Sequence, residues 1–181
     1  MKVKLTNVRL SFPDLFTARP FKPGDKPKFK ASFLIPKNDP QIKDIEAAIK
    51  ATALNKWGAK ADGILKTIRG NPNKFCYQDG NNKTYEGYED MMVVSASNAV
   101  RPLVLDADKS PLTEADGRPY AGCYVNASIE FFPYENSGNG ISASLKGVQF
   151  CGKGDSFGGG SPADPDDFDS IDAPAEGGDL L

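Results

Sequence analysis

The sequence predicts a mainly β domain with one principal helix (α+β): an OB-type barrel, five-stranded or slightly elaborated, with a disordered C-terminal tail. Three observations predict this. Short segments with apolar and polar residues in alternation recur between residues 2 and 150, the period of half-buried strands. One amphipathic helical stretch lies between the early and late strands, an order compatible with an OB-type barrel. From Gly152 onward, glycine, proline and acidic residues displace the apolar ones, and such a segment cannot bury enough surface to order itself. The domains are therefore read as 1–153 and 154–181.

The first strand is expected over Lys2–Leu10, broken by Ser11-Phe-Pro-Asp. Phe12, Phe16 and Phe21 follow in a loop punctuated by Pro13, Pro20, Pro23, Gly24 and Pro27, all turn-forming residues. These aromatics are either packing anchors or stacking groups, with packing favoured for at least two. From Lys28 to Ile35 the parity is clean. Phe29, Ala31, Phe33 and Ile35 share one face, and Lys28, Lys30, Ser32 and Leu34 the other.

Asp39-Pro40 starts a helix over 40–57, since Asp suits the N-cap and Pro the first helical position. Ile42, Ile45, Ile49 and Ala53 form its apolar stripe, and Gly58 ends it. A second, weaker helix is expected over 59–70. Asp79-Gly-Asn-Asn-Lys83 reads as a hairpin turn joining Phe75–Gln78 to Thr84–Tyr88. Strands are expected at Met91–Ser97 and Arg101–Leu105, with a polar loop over 106–120. The clearest hairpin comes last. Val125, Ala127 and Ile129 alternate with Tyr124, Asn126 and Ser128, and Ile141, Ala143 and Leu145 with Ser142, Ser144 and Lys146. Val148 and Phe150 fall on the opposite parity from Leu145, so Gly147 is expected to host a bulge.

Composition narrows the chemistry. The chain has three cysteines, at 76, 123 and 151, and no histidine. A structural zinc site needs four soft ligands, and every Ser-His, Cys-His or HExxH arrangement needs histidine. Asp106-x-Asp108-x-Ser110 resembles the start of a calcium loop, but Pro111 and Gly117 stand where an EF-hand needs Gly and Glu. Asp14, Asp106, Asp108 and Glu130 have no spacing that makes a metal-dependent nuclease site. Neither cofactor nor metal is expected. No apolar run approaches the roughly 18 residues of a membrane span. No apolar region follows the N-terminal lysines, so a signal peptide is not expected and the protein is read as soluble and intracellular.

The net charge of −2 conceals two halves. Eight acids and no bases lie in 154–181, which leaves 22 bases against 16 acids, a net +6, in 1–153. A basic body with a detached acidic tail suggests a polyanion-binding surface and a tail able to compete for it. Within the tail, Asp166, Asp167 and Asp169 surround Phe168. One aromatic anchor in a negative field suits docking into a basic pocket with an apolar floor.

The chain resembles a family of small phage-encoded proteins, long catalogued as uncharacterised, now regarded as OB-fold single-stranded-DNA-binding proteins. The resemblance covers nearly the whole chain. It is carried by Val8-Arg-Leu-Ser-Phe-Pro-Asp-Leu-Phe16, by Lys28-Phe-Lys-Ala-Ser-Phe-Leu-Ile-Pro36 and by the stretch Asp106–Gly117. Its most specific parts are Tyr120-Ala-Gly-Cys-Tyr-Val-Asn-Ala-Ser-Ile-Glu-Phe131 and Gly140-Ile-Ser-Ala-Ser-Leu-Lys-Gly-Val-Gln-Phe150. The glycine run followed by the acidic segment around Asp167-Phe168-Asp169 also matches. It implies a replication or recombination accessory protein of a phage, acting in the cytoplasm of the bacterial host.

The resemblance supplies no residue-level map, so the binding groove is assigned from strand parity. The outward faces of 28–35, 122–132 and 141–150 are expected to form it. Lys28, Lys30, Arg101 and Lys146 would contact phosphates, Tyr124 would stack on a base beside Asn126, and Tyr77 and Tyr134 are further candidates. Binding by stacking and phosphate contacts is largely independent of sequence. RNA binding and self-association are left open. Replication or recombination proteins are the expected partners of the tail. A virion structural protein and a metal-dependent nuclease are the competing readings.

Overall fold

The computed structural model describes residues 1–157 and 165–171. Most of the expected disordered tail, 158–164 and 172–181, lies outside the described residues. Within them are strands β1 (Lys2–Arg19), β2 (Lys28–Pro36), β3 (Tyr77–Asp79), β4 (Met91–Asn98), β5 (Leu103–Leu105), β6 (Tyr124–Tyr134) and β7 (Gly140–Gly152). Helices α1 (Gln41–Trp57) and α2 (Ala61–Ile68) separate β2 from β3. The strand order is β3-β4-β2-β1-β6-β7-β5, and a further parallel pairing of β4 with β7, Ser97 opposite Ser144, closes five strands into a barrel. Closure leaves the two three-residue strands β3 and β5 as the outer strands among the described residues, and short edges are the less exposed kind.

β1 runs through the expected break at Ser11–Asp14. Its first half pairs with β6 as far as Arg9, and its second half pairs with β2 as far as Arg19 opposite Lys28. Register shifts on either side of Asp14 bend it from one neighbour to the other. Bulges are where a strand accommodates a proline, so Pro13 bends β1 without ending it.

The helix forms as the sequence indicates. Asp39 Oδ1 accepts the backbone N–H of Gln41 at 2.9 Å, which satisfies one of the donors left unpaired at a helix start. Gly58, at φ 56°, terminates α1, a conformation that favours glycine. Ile45, Ala48, Ile49 and Ala53 are buried in one core with the barrel interior and with Ala61, Leu65 and Ile68 of α2.

The expected 75–88 hairpin does not form. β3 pairs instead with β4, Tyr77 opposite Val94, and residues 84–90 cross the outside of the barrel as a loop. Tyr88 explains this. Its ring is buried with Leu34 and Val93, and its hydroxyl bonds to Ser11 Oγ at 2.9 Å. Burying a tyrosine with its hydroxyl satisfied outweighs a short hairpin ladder. Leu34, expected on the open face of β2, is consequently covered.

The last hairpin follows the sequence reading closely. Ser128 stands opposite Gly147 while Ile129 stands opposite Leu145, so Lys146 is the extra residue of a bulge at the expected place. The shift returns Val148 to the core.

Candidate nucleic-acid interface

A cleft of about 720 Å³ lies on the outer surface of the barrel over β2, β4 and the start of β7. Strand pairing fixes its floor. Ser32 faces Ser95, their Oγ atoms 3.2 Å apart, and Lys30 faces Ser97. The row continues from Ser97 to Ser144 and on to Glu130, around the barrel wall. Small hydroxyls let a polymer backbone come close, and they offer donors without adding negative charge. Lys30, Lys74 and Lys83 line the cleft together with Phe12, Phe21, Tyr85 and Tyr134.

The aromatic residues are presented rather than packed away. Phe12 has φ 46°, a left-handed conformation that costs a bulky residue on the order of 1–3 kcal/mol. Its ring is nevertheless 52 % exposed. It meets Tyr85 edge to face at 4.8 Å, and Tyr85 meets Tyr88 at 5.2 Å. Tyr85 is also 52 % exposed and Phe21 is 84 % exposed, with Lys30 Nζ 5.7 Å from the Phe21 ring centre. Only Phe16 of the three early phenylalanines packs on the core, so the expectation that at least two of them pack is corrected. The available signal was Pro13: a proline in a strand imposes a bulge, and a bulge re-aims the neighbouring side chain.

Tyr134 is held in place by an O–H···O bond to the Asn73 carbonyl at 3.1 Å. A side chain on Gly140 would run into its ring. Lys74 reaches over the same ring at 5.9 Å and donates to the Ser137 carbonyl.

The remaining sequence candidates separate. Lys28, Lys30 and Arg101 gather at one end of β2: Lys28 stands opposite Arg19, and the Arg101 guanidinium lies 5.9 Å over the Phe29 ring while donating to the Phe16 carbonyl. Asp14 pairs with both Arg19 and Lys30. Lys146 pairs with Glu130 at 3.7 Å, both groups being well exposed. Tyr124 and Asn126 lie away from the cleft. Tyr124 sits 5.9 Å from the Arg9 guanidinium. Asn126 accepts from the Asn7 N–H and donates to Gln149, so its amide is engaged as a cross-strand tie. Tyr77 does not belong to any surface. Its ring is 2 % exposed, and burial pushes its hydroxyl up to about 12. Tyr77 pairs with Val94 of β4 and faces inward, so it is not available as a binding candidate. In the tail, Asp166 and Asp167 form a short 3-10 turn that Phe168 closes, with the Phe168 ring 70 % exposed and Asp169 exposed beside it.

The carboxylates named for a nuclease site are dispersed into separate pairings. Asp106 is held below the usual carboxylate range by the Arg118 guanidinium at 2.6 Å, and Asp108 by the Ser110 hydroxyl and amide. No group of three or more possible metal ligands occurs among the described residues. Within them, no helix is long and apolar enough to cross a membrane.

Comparison with known proteins follows the same line. The family model described as "Enterobacter phage Enc34, ssDNA-binding protein" matches residues 1–179. A protein of Acyrthosiphon pisum secondary endosymbiont phage 1, called putative protein p50, is 50 % identical over 173 residues, 94 % of each chain. The single-stranded DNA-binding protein of bacteriophage Enc34, solved in complex with ssDNA, superposes with a TM-score of 0.73 at 28 % identity. That match covers 87 % of this chain and 89 % of the other. The gp2.5 single-stranded DNA-binding protein of bacteriophage T7 shares the fold, with a TM-score of 0.55 at 14 % identity over 88 % and 91 % of the two chains. The chain belongs to the phage Enc34 single-stranded-DNA-binding protein family.

Proposed function

We propose that this protein binds single-stranded DNA, largely without regard to sequence, along the cleft over β2, β4 and β7. The observation that carries this reading is the outward presentation of Phe12, Phe21 and Tyr85 beside Lys30, Lys74 and Lys83, above a serine floor, in a chain of this family. Aromatic faces stack on any base, and ammonium groups track any backbone phosphate. Phe12, Tyr85 and Phe21 are the principal stacking groups and Tyr134 a further one. Lys28, Lys30 and Arg101 supply phosphate contacts at one end, and Lys146 supplies one beyond Ser144. The exposed Lys146–Glu130 pair costs little to open, because such pairs contribute about 0–1 kcal/mol. The protein does no chemistry on the strand it holds.

The role that follows is coating single strands during phage replication or recombination in the host cytoplasm. The acidic tail serves as the hook for other proteins of that process, with Phe168 as anchor and Asp166, Asp167 and Asp169 as its charged flank. The same groove admits RNA, since stacking and phosphate contacts do not read the sugar. Binding should be measured against salt for matched single-stranded and double-stranded DNA. The expected result is a strong single-strand preference with a slope of about −0.7 per phosphate neutralised. Equal affinity for both forms would remove the stacking account.

A further inference from the structure

The segment after β7 does not leave the body at Gly154. Four residues, Gly154–Phe157, run back over the barrel and are fastened at several points. The Phe157 N–H bonds to the Ala121 carbonyl at 3.1 Å. Tyr120 Oη donates to the Gly154 carbonyl at 3.0 Å and lies 3.2 Å from the Gly154 nitrogen. Arg9 donates through Nε to the Gly122 carbonyl at 3.0 Å and through Nη2 to the Asp155 carbonyl at 2.7 Å. Its guanidinium lies 4.2 Å from the centre of the Phe157 ring, close enough for a substantial cation–π attraction. Two glycines make room. A side chain on Gly122 would collide with the Asp155 carbonyl, and one on Gly87 would lie 2.6 Å from Phe157 Cε1.

The Phe157 ring therefore presses on the 84–90 loop at Gly87 and packs against the Leu34–Tyr88–Val93 cluster. Tyr88 touches Tyr85, and Tyr85 touches Phe12. That loop has no strand of its own to hold it. Asp90 ties its far end to Asn81 and to the Lys37 N–H, while Tyr88 holds its middle from within and Phe157 presses on it from outside.

We propose that Phe157 is a positioning residue for DNA binding: docking of the 154–157 strap sets the loop that carries Tyr85, and through it the aromatic rim of the cleft. This rests on the cleft reading above. Any pull on the acidic tail beyond residue 157 then reaches the rim through one ring, without the tail entering the cleft.

The test uses the full chain labelled with 3-fluorotyrosine, with the Tyr85 resonance assigned by Tyr85→Phe. Without DNA, Phe157→Ala should shift or broaden the Tyr85 signal, and Phe157→Leu should largely restore it. On an oligo-dT strand, Phe157→Ala should weaken binding about fivefold. In combination with Tyr85→Ala it should add no further loss. If Phe157→Ala fails to fold, Arg9→Lys, which removes the guanidinium that holds the Asp155 carbonyl and lies over the Phe157 ring, carries the same comparison. An unmoved Tyr85 signal, or losses that multiply in the double variant, overturns the proposal. If Tyr85→Ala alone leaves affinity unaltered, the cleft reading fails, and the fluorine signal still reports whether the strap sets the loop.

Discussion

Phe12 is held in a left-handed backbone conformation and is still half-exposed, with its edge contact to the equally exposed Tyr85 as the visible ring packing to set against that cost. Strain of this kind collects where a side chain must be aimed at a ligand. Replacing Phe12 or Tyr85 with Ala should each weaken single-strand binding by about 1–3 kcal/mol, the range for losing one base stack, with unfolding midpoints little changed. Tyr124→Ala, on a surface away from the cleft, should lose much less; a larger loss at Tyr124 than at Tyr85 would move the platform to β6. Lys30→Ala with Lys28→Ala should reduce the magnitude of the log–log salt slope by about 0.7 for each phosphate contact removed. An unaltered slope in the folded double variant would show that neither lysine touches phosphate. The thiols give an independent check on the core. Burial pushes Cys76 up to about 12 and Cys123 to about 11, while Cys151 is exposed. The thiolate is the reactive form. Near pH 8 a disulfide reagent should therefore titrate one fast thiol in the native protein, lost in Cys151→Ser, and three after unfolding.

At the scale of elements, the β6–β7 hairpin is legible and the crossing loop is not. The β6–β7 parity, the bulge at Gly147 and the Asp39 cap follow from residue period and local hydrogen bonding, which a sequence displays directly. The 84–90 loop depends on Tyr88 finding Ser11, a contact between residues 77 positions apart that no local pattern reports. Taking Thr84–Tyr88 as a strand also hides the exposure of Tyr85 at the edge of the cleft. Lys30 and Tyr134 line the cleft, where simple strand parity holds. Gly80 anchors the corrected arrangement. A Cβ there would strike the Tyr88 carbonyl and lie 2.7 Å from the Met91 carbonyl. Gly80→Ala should thus lower stability by about 1–3 kcal/mol, the usual cost of forcing atoms into a packed site, measured by urea unfolding. Wild-type stability in that variant would mean the loop is not seated as described.

For the whole molecule, charge is divided along the chain, with net +6 up to residue 153 and eight acids with no base after it. The strap sets where a truncation should be made. Removing 158–181 keeps Phe157 docked, and by charge alone it should tighten single-strand binding, most clearly at low salt where screening is weakest. It should also abolish capture of the replication or recombination partner, and Phe168→Ala should affect capture more than DNA. Equal DNA affinity with and without 158–181 at two salt concentrations would leave the tail as a hook alone. Photocrosslinking decides whether one strand lies in the cleft over β2, β4 and β7. The full chain would be irradiated with an oligo-dT strand carrying 5-bromodeoxyuridine, and the modified residues mapped by mass spectrometry. A strand in the cleft gives adducts at Phe12, Phe21 and Tyr85. Adducts confined to Tyr124 and its neighbours on β6, with none at those three positions, would contradict it.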